Sequence, residues 1–173
     1  ALMNGYTIID VDTHVTETPD LWTSRVPDRM KDLVPRVDLD AKGRQWWFLG
    51  DRRIANPGLT ATAGVGDMTN WPKSYDEMHP GAFDAKERLK YMDGMGIWAM
   101  VMYPNVGGFG SQEFLRLEDS ELKLTCVKVY NDWQTEWASA DSRRLLPITS
   151  TPFWDVDAAV EEIRRCHAMG HKG

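Results

Sequence analysis

The chain's 173 residues suit one domain of ordinary size, and a 42% hydrophobic content with eight Trp and nine Met excludes disorder as its main state. The net charge of −6, with no cluster of Lys or Arg, argues against a nucleic-acid partner. No apolar run approaches the roughly 20 residues that span a membrane, and the first residues lack the basic and apolar regions of a signal peptide. A cytoplasmic protein is therefore expected. Cys126 and Cys166 fall among apolar neighbours without a CxxC or His partner, so free buried thiols are expected of both.

Tyr6 to Asp12 reads as a first strand that turns polar at its C-terminal end. From Thr13 to about Phe83 there is little helical periodicity, and six of the nine prolines fall here: Pro19, Pro27, Pro35, Pro57, Pro72 and Pro80. A structureless loop of that length is uncommon, so residues 18–83 are expected to form a folded insertion. Within it, Arg36 to Ile54 reads as a small β-meander with Gln45-Trp46-Trp47-Phe48-Leu49 as its central strand.

Regular alternation begins at Asp84. Asp84-Ala85-Lys86-Glu87 resembles a capping box and opens a helix with an apolar face at Leu89, Met92 and about Met95, ended by Gly94 and Gly96. Ile97 to Tyr103 is a continuous apolar run, the pattern of a parallel strand buried on both faces. Gly107, Gly108 and Gly110 belong to the next loop, which lacks the Lys-Ser/Thr of a P-loop and reads as a mobile active-site loop. A long helix follows from about Glu118 to Ser139, with Leu122, Cys126, Val129, Tyr130, Trp133 and Trp137 on one stripe. Leu145 to Ser150 reads as a third strand. Asp155 or Asp157 opens a third helix whose face is Val156, Ala159, Val160, Ile163 and Cys166, and Gly170 stops it. Gly94-Met95-Gly96 precedes a strand instead of following one, so it is no dinucleotide fingerprint.

Strands alternating with helices indicate α/β architecture with a parallel sheet. The chain holds three strand–helix units, and His171-Lys172-Gly173 stand where a fourth strand should begin. A (β/α)8 TIM barrel takes about 250 residues, so residues 1–173 are expected to be its N-terminal part.

Active sites of such folds lie at the C-terminal ends of the strands. Simple alternation puts Asp10, Asp12 and His14 on one face, with Asp10 a layer deeper. An acid and an imidazole two apart at a strand end can both reach a divalent cation, and that donor pair suits zinc, manganese or iron. The alternative is a surface turn with a hydrogen-bonded pair. His79, in the insertion, is placed to hang over the site mouth or to be a plain loop histidine. Tyr103 and Asn105 end the second strand, and Phe153 and Trp154 follow the third; all four are pocket-lining candidates, with core packing the alternative for Phe153 and Trp154. His171 falls at the opposite end of the barrel and is rejected as a ligand.

Asp10-Val11-Asp12-Thr13-His14-Val15-Thr16-Glu17 resembles the first-strand motif of the amidohydrolase superfamily, in the branch that includes aminocarboxymuconate-semialdehyde decarboxylase and the resorcylate-type decarboxylases. Glu87-Arg88-Leu89, Met92-Asp93, Gly96-Ile97 and Tyr103-Pro104 are similar to that branch's second unit. Tyr130-Asn131-Asp132-Trp133, Asp141, Arg144-Leu145 and Pro147 are similar to its third. Ala159 to Ile163 with Gly170 to Gly173 are similar to the run into its fourth. The resemblance covers most of the chain outside the insertion.

The resemblance implies that Asp12 and His14 are metal ligands, with Asp12 in place of the first His of the family's HxH. It implies zinc first, manganese or iron as alternatives, and Glu17 as an acid that lines the site beside Asp10 or supports its ligands from behind, with a solvated loop carboxylate the alternative for Glu17. The remaining ligands and the acid/base residues are expected downstream of residue 173, so the chain alone is expected to be inactive. The implied activity is metal-dependent hydrolysis of a small carboxylated or cyclic substrate, in an enzyme that forms a homo-oligomer. Two alternatives stand beside it: a metal-dependent non-oxidative decarboxylase, and a non-catalytic half-barrel that associates with itself or a second chain through its open edges.

Overall fold

The computed structural model describes residues 5–63, 65, 67, 69–108 and 111–173. Three strands form a parallel sheet in the order β1 (Ile8–His14), β5 (Ile97–Tyr103), β6 (Leu145–Pro147). Between β1 and β5 lie the insertion and α1 (Ala85–Met95), between β5 and β6 lies α2 (Ser120–Ala138), and α3 (Val156–Ala168) follows β6. The expected mixed α/β organisation is present. The last residues bond to the stretch at and after β6: Lys172 N–H donates to Pro147 O at 2.9 Å, and Thr149 N–H donates to Gly173 O at 2.8 Å. Part of the glycine loop, residues 109 and 110, lies outside the described residues.

β1 begins and ends two residues later than expected, so Asp12 and His14 are among its last three residues. Its pairing is also irregular. Asp10 stands opposite Met100 and Thr13 opposite Met102, so three steps of β1 match two of β5. This is a bulge at Val11–Asp12. Paired residues share a face, so Asp10 and Thr13 lie on the side of Met100 and Met102, and His14 lies on the side of Tyr103. The expected common face for Asp10 and His14 is therefore corrected: the extra residue inverts the alternation between them. The Asp10 carboxylate stabilises the bulge by accepting Asp12 N–H at 3.1 Å.

β2 (Pro35–Leu39), β3 (Gln45–Leu49) and β4 (Arg52–Arg53) form the expected antiparallel meander. The Asp40 carboxylate builds its first turn, accepting the N–H groups of Lys42 and Arg44, the Arg44 Nε and the Trp46 indole. Arg44 at 5.7 Å and Arg53 at 4.3 Å both lie over the Trp46 ring. The insertion packs into the same core as the helices. Fully buried Trp22 meets Trp47 edge-on at 5.7 Å, stacks on Tyr130 of α2 at 6.4 Å, and donates its indole N–H to Cys126 O at 2.9 Å.

Each helix starts at an Asp that accepts an N–H three residues on: Asp84 from Glu87, Asp119 from Leu122, Asp155 from Ala158. Glu87 does not return the bond expected of a capping box, because Asp84 N–H is taken by Pro80 O and Glu87 pairs with Lys90. Gly96 ends α1 in the left-handed region at φ 73°, where a side chain would be strained. The α2 stripe is buried as expected apart from Val129, which is partly buried. Both cysteines are free and buried, and burial pushes the Cys166 thiol up to about 12.

Two expectations fail here. β6 stops at Pro147 because Asn131 captures the next stretch, accepting Ser150 N–H at 2.9 Å and donating to Ser150 O at 2.9 Å. The α3 face is the larger miss. Val156, Val160 and Ile163 are exposed, and Glu162 and Cys166 are the buried residues. A polar clamp sets the rotation: Glu162 accepts from Asn131 at 2.8 Å, and Arg165 bridges Glu162 to Asp132 of α2.

Candidate functional site

A cleft of about 270 Å³ runs along the C-terminal half of β1. Asp10, Asp12 and His14 line it from the strand, Thr60 to Ala63 from the insertion, His79 and Gly81 from the turn before α1, and Arg88 and Tyr91 from α1. It thus brings together four of the residues singled out by sequence: Asp10, Asp12, His14 and His79.

His14 is held by Pro104, whose carbonyl lies 2.9 Å from Nδ1. A carbonyl can only accept, so Nδ1 carries the proton, and in the neutral ring Nε2 carries the lone pair. Metal-ligating histidines are commonly oriented this way, with the second nitrogen donating to a carbonyl or carboxylate. His79 has the opposite tautomer. Its Nδ1 accepts Gly81 N–H at 3.0 Å and its ring meets Tyr91 edge-on at 5.2 Å, so Nε2 is the protonated nitrogen of the neutral ring. Asp12 is exposed and His14 half-buried. Among the described residues, no three His, Cys, Asp or Glu side chains gather in an arrangement that could hold a metal ion. The chemistry of Asp12 and His14 fits a divalent cation as two donors of an incomplete shell.

Arg88 organises the cleft wall. Its guanidinium donates to His14 O at 2.9 Å, to Ala82 O at 3.3 Å and to Gly81 O. Its remaining nitrogen faces the sulfurs of Met100 and Met102, and its plane lies 5.8 Å from the Trp137 ring. Burial lowers its pKa to about 10, opposed by Tyr91 and Asp10. One side chain thus ties the end of β1 to the turn that carries His79. Sequence reading missed this role. The available signal was an arginine four residues before Met92, on the buried stripe of α1.

Glu17 lies beyond the cleft, beside a smaller chamber of about 90 Å³ that shares Thr16 and Thr60 with it. The side chain is fully buried. Oε1 accepts the N–H groups of Asn105 and Val106 at 2.9 and 3.0 Å, which pins the loop after β5 to the loop after β1. Oε2 has no hydrogen-bond partner among the described residues. Burial raises the carboxyl to about 7 against the lowering effect of those N–H groups. Asn105 also donates to Val15 O at 2.7 Å.

The other candidates lie apart from the cleft. The Tyr103 ring sits 6.1 Å from His14 on the shared strand face. Trp154 lines a groove between the N-terminal ends of α2 and α3, under Lys123, and Phe153 packs edge-on against it at 5.6 Å. His171 is buried between the hydroxyls of Thr135 and Thr149.

No family model matches the chain, and no curated protein matches it. Solved structures do. An amidohydrolase from Mycobacterium avium subsp. paratuberculosis K-10 is similar over 99% of this chain, at 27% identity and a TM-score of 0.73. The chain spans about half of that protein, 48% of its length. A 2,6-dihydroxybenzoate decarboxylase from Rhizobium aligns over 95% of this chain and 36% of its own, at 21% identity and a TM-score of 0.49.

Proposed function

We propose that the chain supplies the first three βα units of a (β/α)8 enzyme of the amidohydrolase type, with residues 18–83 as an insertion after the first strand. Asp12 and His14 are the first half of its divalent-metal site, with zinc the foremost candidate and manganese or iron the alternatives. The bond from His14 Nδ1 to Pro104 O carries this reading, because it commits Nε2 as the ligating nitrogen. The likeness to the mycobacterial amidohydrolase supports it.

The reaction is hydrolysis of a small carboxylated or cyclic substrate. A divalent metal held by Asp12 and His14 would supply a water of lowered pKa and polarise the scissile carbonyl. The residues of this chain do the positioning. Pro104 orients the His14 imidazole, Arg88 holds the strand end, and the N–H at His79 Nε2 is a donor for a substrate oxygen lying in the cleft. The remaining ligands and the proton-transfer group would come from later strands, as the resemblance to the amidohydrolase motif at Asp12-Thr13-His14 implies. The parent enzyme is cytoplasmic and homo-oligomeric in this reading. Among the described residues no helix is long and apolar enough to cross a membrane. Ile9 and Val11 on β1 and the Val156–Val160–Ile163 stripe on α3 are apolar and exposed, and further βα units of the barrel cover them.

Zinc titration of the 173-residue chain by calorimetry, beside His14→Ala, tests the reading. Zinc binding that falls by about a hundredfold in the variant is the expected result. Equal binding by the two chains overturns it.

A further inference from the structure

We propose that the chamber beside Glu17 is a subsite for a small primary ammonium group. Its lining combines apolar walls, from Trp47, Pro57, Leu59 and Val106, with polar residues that include Glu17 and Asn105 beside Thr16, Asn56 and Thr60. Leu59, at the exposed side, and fully buried Glu17 both line it. Glu17 Oε2 and Asn105 Oδ1 are both buried and both lack a hydrogen-bond partner among the described residues. Both are acceptors when Glu17 is ionised. An unmet buried acceptor is costly, and an occupant that relieves this cost must bring donors.

The charge of the site selects among donors. Among the described residues no Lys, Arg or His acts on Glu17; burial and three backbone hydrogen bonds account for its electrostatics. A buried carboxylate without a counter-ion favours a cationic occupant over a neutral one. The Trp47 indole adds a ring that attracts cations. A primary ammonium carries three N–H donors, enough for Oε2 and Oδ1 together. The walls match an alkyl stem. The chamber meets the Asp12–His14 cleft at Thr16 and Thr60, so a substrate in the cleft can extend its amino end to Glu17. That last step rests on the function proposed above; the binding of ammonium by the chamber does not.

Methylammonium titrated into the metal-free chain, followed by amide NMR, tests the proposal. The amides of Asn105 and Val106, which donate to Glu17 Oε1, are the reporters. They are expected to shift saturably with methylammonium and to stay unmoved with tetramethylammonium, which has no N–H. Glu17→Gln is expected to weaken the effect at least about tenfold. Leu59→Trp narrows the mouth without touching the floor, and is expected to abolish the effect; it decides the matter if the Glu17 variant does not fold. Equal response to both probes, or full response in Leu59→Trp, overturns the proposal. Zinc titration of the same sample separates the two readings: retained zinc binding without methylammonium binding sinks this one alone.

Discussion

The guanidinium of Arg88 donates to the main-chain carbonyl of His14 at 2.9 Å, across 74 residues of sequence. The same group holds Gly81 and Ala82, so the strand end and the turn bearing His79 move together. Arg88→Ala strands the carbonyls of His14 and Gly81 in a buried wall, while Ala82 O keeps the Thr16 N–H, and is expected to destabilise the fold by about 3 kcal/mol. Arg88→Lys keeps the charge and loses the fork, and should recover only part of that. Urea denaturation of both variants measures it, and an unchanged midpoint for the alanine variant would show that solvent reaches these carbonyls.

Glu17 should make stability fall as pH rises. Its carboxyl is raised from 4.5 to about 7 by burial. Below 4.5 both states are protonated and no penalty exists. Between 4.5 and 7 the unfolded chain has released a proton that the native state still holds, so each pH step costs native stability. Above 7 the loss is constant, about 3 kcal/mol in all. Glu17→Gln should flatten this dependence. Unfolding free energies at pH 5 and pH 8 give the comparison, and equal slopes in the two chains would contradict it.

Trp22 tests how far the insertion belongs to the core. It is fully buried against Trp47 and Tyr130. Trp22→Ala is expected to cost about 4 kcal/mol, through lost burial and the cavity left behind. A loss below about 1 kcal/mol would be the range of surface substitutions, and would mean that the insertion folds apart from α2.

The three helix caps give a graded control. Asp84→Ala, Asp119→Ala and Asp155→Ala should each cost about 1 kcal/mol, and the Ser variants much less. Thermal melts of the six chains check this. Alanine and serine variants that melt together would mean that the side-chain bonds at these caps contribute nothing.

Much of the fold was legible in the residues, because local rules govern it. The apolar run at 97–103, the stripe on α2, the Asp84 cap and the central strand of the meander each depend on neighbours within a few positions. Asp12 and His14 were legible as candidates for the same reason, two apart at a strand end. The rest was decided by contacts far apart in the chain. Periodicity marks an apolar stripe on α3, but the clamp of Glu162 and Arg165 with Asn131 and Asp132 sets which side turns inward. Alternation assigns faces along β1 only while the ladder is regular, and the extra residue between Asp10 and Thr13 breaks it. The tautomer of His14, the span of Arg88 and the unmet oxygen of Glu17 follow from partners 74 to 90 positions away. By itself the sequence determined which side chains were available to the site. Their faces, tautomers and protonation were decided by tertiary structure, because each is set by the burial and hydrogen-bond partner that only the packed chain supplies.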